Sequence, residues 1–98
     1  MTEAIPPDLL ERMAERFRML ADPSRLAILA FLMKGGEKNV GELATAMDRT
    51  TANVSKHLKL LAENGILARR KDGLQVFYRL DDPMWEQVCR LVNSAMHK

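Results

Sequence analysis

TTANVSKHLKLLAENG, Thr50 to Gly65, reads as one short helix with two unlike faces. At about 100° per residue, Val54, Leu58 and Leu61 fall on one side, whereas Ala52, Ser55, Lys56, Lys59 and Glu63 fall on the other. The first face packs on a core. The second is small, hydroxylic and basic, which suits a helix laid in a DNA major groove: no bulky apolar group obstructs close approach, and ammonium groups are free to pair with phosphates. An ordinary amphipathic surface helix fits the same letters, so the flanking sequence has to separate the two readings.

Upstream, Asn39 followed by Glu42 forms a capping-box start, and Val40, Leu43, Ala44 and Met47 give a short helix that ends near Met47. Asp48, Arg49 and Thr50 make a tight turn, with Thr50 as the N-cap of the quoted helix and Asn64-Gly65 as its stop. Two short helices joined by such a turn, the second carrying the polar stripe, form a helix-turn-helix. Beyond Gly65 the period changes to two. Ile66 to Lys71 and Leu74 to Leu80 flank Asp72-Gly73, a strong hairpin signal, and predict an antiparallel wing. Arg69, Arg70 and Lys71 stand just before its tip, where an apolar core has no use for them and a DNA backbone does.

Residues 1–7 hold two adjacent prolines and no periodicity and are expected to be a loose arm; residues 8–98 are expected to form a single domain. Leu10, Met13, Phe17 and Leu20 mark a first helix over about residues 8 to 21. Asp22-Pro23 starts a second, apolar around much of its circumference and therefore central, which Gly35-Gly36 ends. Asp81-Asp82-Pro83 starts the last, over about Pro83 to His97, with a stripe of Trp85, Val88, Val92, Ala95 and Met96. The first and last helices carry apolar seams beyond what so small a core needs, and the simplest partner for them is a second copy of the chain. The dimer interface is thus expected at Leu10, Met13, Phe17, Trp85, Val88, Cys89, Val92 and Met96.

Composition agrees. The 98 residues bound one core, and 47% hydrophobic content with only 5% aromatic and seven Met favours a Leu/Ala/Met-filled helical domain. Net charge is only +2, but residues 49–75 hold six cations against two carboxylates, so positive potential is focused on that part. No apolar run reaches the roughly 18 residues of a membrane span, and no signal-like start is present, so a cytoplasmic location is expected. The chain lacks a Gly-rich phosphate loop and a nucleophile-elbow context, and the Asp81-Asp82 pair is better placed to cap a helix than to catalyse; no enzyme is expected.

The order of elements, with ADPSRLAILAFL (Ala21 to Leu32), VGELATAM (Val40 to Met47), NVSKHLKLLAENGIL (Asn53 to Leu67) and RRKDGLQVFYRL (Arg69 to Leu80), resembles the ArsR-type winged helix-turn-helix repressors from about Leu9 to Met96. The resemblance implies a mainly α fold with a small β-hairpin, ordered α-α-α-α-β-β-α, and a homodimer formed through the first and last helices. It implies a repressor that sets two copies of the quoted helix in successive major grooves of an imperfect palindrome. By position it assigns base and phosphate contacts to Thr50, Thr51, Ala52, Ser55 and Lys56, to which Lys59 of the same face and Arg69, Arg70 and Lys71 of the wing are added as phosphate contacts. Thr51 and Ala52 stand where many relatives have Gln and Ser, so methyl contacts to thymine gain weight. Leu74 replaces a basic residue after the tip glycine, which argues against insertion of the tip in the minor groove. His57 lies near the packed side, where a histidine bonded to backbone is a simpler reading than a base contact.

The family's metal positions are not matched. Asn39 and Gly41 stand where the arsenical-type site has cysteines, and Met84, Ala95 and Lys98 replace all but Asp82 of the zinc-type set. The dithiol persulfide sensors need two cysteines, and this chain has one. No metal or cofactor is therefore expected, and the effector is open. Cys89 has three readings: a packed seam residue, a cross-dimer disulfide or redox switch, or an intersubunit metal ligand with His97. The alternative to DNA reading is a winged-helix module for protein–protein contact, distinguished by its weaker response to salt.

Overall fold

The computed structural model describes residues 4–97. Along the chain lie α1 (Pro7–Leu20), α2 (Pro23–Gly35), β1 (Lys38–Asn39), α3 (Val40–Met47), α4 (Thr51–Glu63), β2 (Leu67–Asp72), β3 (Gln75–Leu80) and α5 (Pro83–Met96). The fold is mainly helical with a small antiparallel sheet ordered β1-β3-β2. The expected order of helices and hairpin holds. Part of the expected N-terminal arm lies outside the described residues, and Pro7 belongs to α1 rather than to the arm. No helix among the described residues is long and apolar enough to cross a membrane.

The core follows from the stripes. Ile28 and Leu29 of α2, Leu43 of α3, and Val54, Leu58 and Leu61 of α4 are fully buried, joined by Ile66 at the entry to the wing. α2 is central, packing on α1, α3, α4 and β3. Its start is fixed twice. The Asp22 carboxylate accepts from the Arg25 amide at 3.0 Å, and Arg25 Nε donates to the Met19 carbonyl at 2.7 Å, which closes α1. The backbone bond from Arg25 holds the Asp22 carboxyl below its ordinary range, so the charged cap is kept at neutral pH and is lost as pH falls.

α4 ends in a Schellman motif: the Ile66 amide reaches the Leu61 carbonyl at 3.0 Å and the Gly65 amide reaches that of Ala62 at 3.1 Å. Gly65, at φ +74°, supplies the left-handed residue this motif needs, and the buried Ile66 turns the chain into β2.

Two features depart from expectation. The strand β1 was not foreseen: two residues are too few for a period, and it exists only because Lys38 and Asn39 pair with Tyr78 and Phe77. The wing turn is Gly73-Leu74 rather than Asp72-Gly73, because Asp72 pairs with Gln75 inside the ladder. Gly73 has φ +63° while Leu74 does not have positive φ, which is the Gly-X pattern of a II′ hairpin rather than the Asp-Gly pattern of a I′ one. Arg70 is thereby set opposite Phe77; a loop of Asp72-Gly73 would have set it opposite Gln75.

Candidate nucleic-acid interface

α3 starts with a complete capping box. Asn39 Oδ1 accepts from the Glu42 amide at 2.8 Å, and Glu42 Oε1 accepts from the Asn39 amide at 2.9 Å. Its end is turned by Asp48 in the left-handed region at φ 54°, which Asp tolerates better than most side chains. Thr50 then caps α4, its Oγ1 accepting from the Asn53 amide at 3.1 Å. The result is the aiming device expected: Val54, Leu58 and Leu61 anchor α4, and Thr51, Ala52, Ser55, Lys56 and Lys59 stand exposed together on the other side.

Arg49, read from the sequence only as part of the turn and of the basic stretch, helps to fix this aim. The Arg49 guanidinium donates to Ser24 Oγ at 2.8 Å and to Asn53 Oδ1 at 3.4 Å, tying the turn to the start of α2. Ser24 is far away in sequence, so no local pattern marks the pair. His57 is half-buried on the packed side of α4, as expected, but its Nδ1 is buried without a hydrogen-bond partner, so the expected backbone bond is not made at that nitrogen.

The pleat divides the three wing cations that the sequence grouped together. Alternate residues of a strand point to opposite faces, so Arg69 and Lys71 share a face with buried Leu67, while Arg70 and Asp72 share the other. Arg69 lines a groove of about 320 Å³ between α4 and the wing with Lys59, Glu63 and Tyr78. Two expected phosphate contacts, one from the helix and one from the wing, are thus brought to a single groove. Arg70 faces elsewhere and is engaged. Its Nε and Nη2 donate to the Glu37 carboxylate at 3.0 and 2.7 Å, its guanidinium carbon lies 4.9 Å from the centre of the Phe77 ring, and Asp72 is 3.6 Å away. Arg70, expected as a phosphate clamp, is thus paired within the protein while its side chain stays about half exposed. Leu74 at the tip is fully exposed.

α1 and α5 meet where Phe17 stacks edge-on against Trp85, ring centres 6.5 Å apart. Trp85, expected in the dimer seam from its spacing, is only 5% exposed and belongs to the chain's own core cluster, its indole packed edge-on against Phe17 of α1. The rest of the stripe remains open: Leu10, Phe17, Val92 and Met96 are exposed, and Met13, Val88 and Cys89 are half-buried. Phe17, Leu26, Met33, Val88, Cys89 and Val92 line part of an apolar groove of about 640 Å³ between α1, α2 and α5. Burial pushes the Cys89 thiol up from its ordinary pKa.

Comparison with known proteins agrees with this geometry. A family model described as a helix-turn-helix domain matches residues 20–70. The arsenical resistance operon repressor of Escherichia coli (strain K12) is 45% identical over 81% of this chain and 68% of its own length. A cadmium resistance transcriptional regulatory protein, a CadC homolog of Staphylococcus aureus, is 40% identical over 84% of this chain and 65% of its own. The chain therefore spans about two thirds of the length of these two relatives. Among solved structures, a homodimeric winged helix-turn-helix DNA-binding domain from Mycobacterium bovis superposes with a TM-score of 0.83 at 28% identity, covering 97% of this chain and 89% of that one. With the helix-turn-helix, the wing and these matches all in agreement, the chain belongs to the ArsR-type family of winged helix-turn-helix, DNA-binding transcriptional repressors.

Proposed function

We propose that this chain acts in the cytoplasm as a homodimeric repressor that reads an imperfect palindrome in double-stranded DNA. The observation that carries the proposal is the groove lined by both Lys59 of α4 and Arg69 of β2, beside the exposed polar side of α4. In this reading Thr50, Thr51, Ala52 and Ser55 lie against base edges and sugars, Lys56, Lys59, Arg69 and Lys71 pair with phosphates, and Arg70 acts within the protein. Methyl groups of Thr51 and Ala52 address thymine methyls, and the rest of the specificity comes from DNA shape. The dimer is formed by the open seam of α1 and α5 around Leu10, Met13, Phe17, Val88, Val92 and Met96, with Cys89 packed at its edge. The homodimeric state of the similar Mycobacterium bovis domain supports a dimer as such.

The test is a salt titration on a palindromic duplex. Each phosphate contact contributes about 0.9 to the slope of log affinity against log salt. Arg69→Ala should therefore weaken binding to all duplexes alike and flatten the slope by about 1. A wild-type chain that binds duplex no better than a generic basic peptide at moderate salt would instead be a protein-contact module.

The reading places no metal at the positions the family uses. Asn39 is engaged three ways, capping α3 through Oδ1 and its amide and donating Nδ2 to Gln75 Oε1 at 2.7 Å, while Asp82 caps α5 by accepting from the Met84 amide at 2.9 Å. A raised thiol pKa also favours Cys89 as a packed, unreactive residue. Zinc, cadmium or arsenite added to the protein–DNA complex should leave the duplex bound, for wild type and Cys89→Ser alike. Release with equal potency from both would reveal a metal site elsewhere, and release from wild type alone would make Cys89 a ligand.

A further inference from the structure

We propose that Glu37 and Arg70 form a latch that positions the wing against the helix-turn-helix, making both of them positioning residues for DNA reading. The geometry is that of a built connection. Arg70 reaches from β2 across the Phe77 ring of β3 to Glu37, the residue before β1, so one side chain spans all three strands. Two parallel hydrogen bonds fix the guanidinium plane, which a lysine at this position would not do. Asp72 stands behind Arg70, and Arg79 adds a second positive charge near Glu37. The pairing with Arg70 holds the Glu37 carboxyl below its ordinary range, so the carboxylate stays charged at neutral pH.

A second connection runs beside the first. Asn39, whose Oδ1 caps α3, donates its Nδ2 to Gln75 at the base of the wing turn. The segment that starts the helix-turn-helix is thus the segment to which the wing is tied, once through Glu37 and once through Asn39. The consequence for binding is geometric. Arg69 meets Lys59 in one groove only while β2 keeps its angle to α4, and a two-stranded ribbon is marginal by itself. The latch sets that angle before DNA arrives, so that ordering the wing is not charged against binding.

The inference rests on the DNA-reading proposal, and the test separates the two. Affinity for a palindromic duplex is measured at several salt concentrations for wild type, Glu37→Gln, Arg70→Gln and the double variant. A latch gives both single variants the same sign, each weakening binding by about threefold to tenfold, with the double variant no worse than either single. The salt slope stays at the wild-type value. A phosphate-contacting Arg70 gives opposite signs: Arg70→Gln weakens binding and flattens the slope by about 1, while Glu37→Gln, which adds net positive charge, leaves affinity unchanged or raises it. That pattern overturns the latch. Amide hydrogen exchange on the free protein gives a readout that needs no DNA. Faster exchange confined to β2 and β3 in Glu37→Gln supports the latch even where the wild type does not bind DNA, and unchanged exchange there overturns it.

Discussion

Val92→Glu leaves a folded monomer whose affinity for a duplex with two half-sites is lower by about a hundredfold or more. Val92 is 54% exposed on α5, so the substitution opens no cavity in the chain's own core. In the proposed dimer the same side chain is covered, and an unpaired carboxylate there is strongly unfavourable. The loss follows from linkage: two half-sites bound by connected copies gain about 10²–10⁴ over one copy, and a monomer forfeits that gain. Sedimentation reads the mass, and binding to duplexes with one or two half-sites reads the affinity. Wild type should prefer two half-sites strongly, whereas Val92→Glu should bind both weakly and nearly alike. A Val92→Glu chain that remains dimeric at micromolar concentration places the interface elsewhere.

The second large effect lies beneath the reading face. Leu58→Ala removes a fully buried side chain from the middle of α4, and a Leu-to-Ala cavity costs about 2–5 kcal/mol. Against the roughly 5–15 kcal/mol that stabilises a domain, this brings the chain close to unfolding. Thermal denaturation followed by circular dichroism should show a midpoint lower by about 10 °C or more. Ser55→Ala, three positions away on the exposed face, should move stability by less than about 0.5 kcal/mol while still altering DNA affinity. The contrast separates what holds the helix from what the helix touches. A Leu58→Ala chain as stable as wild type contradicts the assignment of α4's packed face.

Every helix was legible in the sequence because each carries its own signals. Asp22-Pro23, Asn39 with Glu42, Thr50 and Asp82-Pro83 mark the starts, and the caps form as those letters imply. The two faces of α4 followed from its 3.6-residue period alone. Most of the features that were not legible depend on distant partners. β1 needs β3 to exist, and the wing turn is placed by the pairing of Asp72 with Gln75, one step from where the Asp-Gly pair pointed. Trp85 and Val92 share one stripe, yet the chain's own core takes in the former and leaves the latter open. Arg69, Arg70 and Lys71 look alike as letters; the pleat separates them, and Glu37, far upstream, claims the middle one. Alternation along β2 was the available signal, because a run of three cations on a strand cannot face one way.

In the proposed complex, two copies of α4 read two half-sites on one face of the duplex. In vitro selection from a pool of random double-stranded DNA tests it most directly, since sequence preference, symmetry and spacing emerge together. Recovered duplexes should carry inverted half-sites whose centres lie about one helical turn, roughly 10–10.5 base pairs, or a multiple of it, apart. A recovered pool with no more sequence bias than the input, or with single unpaired half-sites, would contradict it.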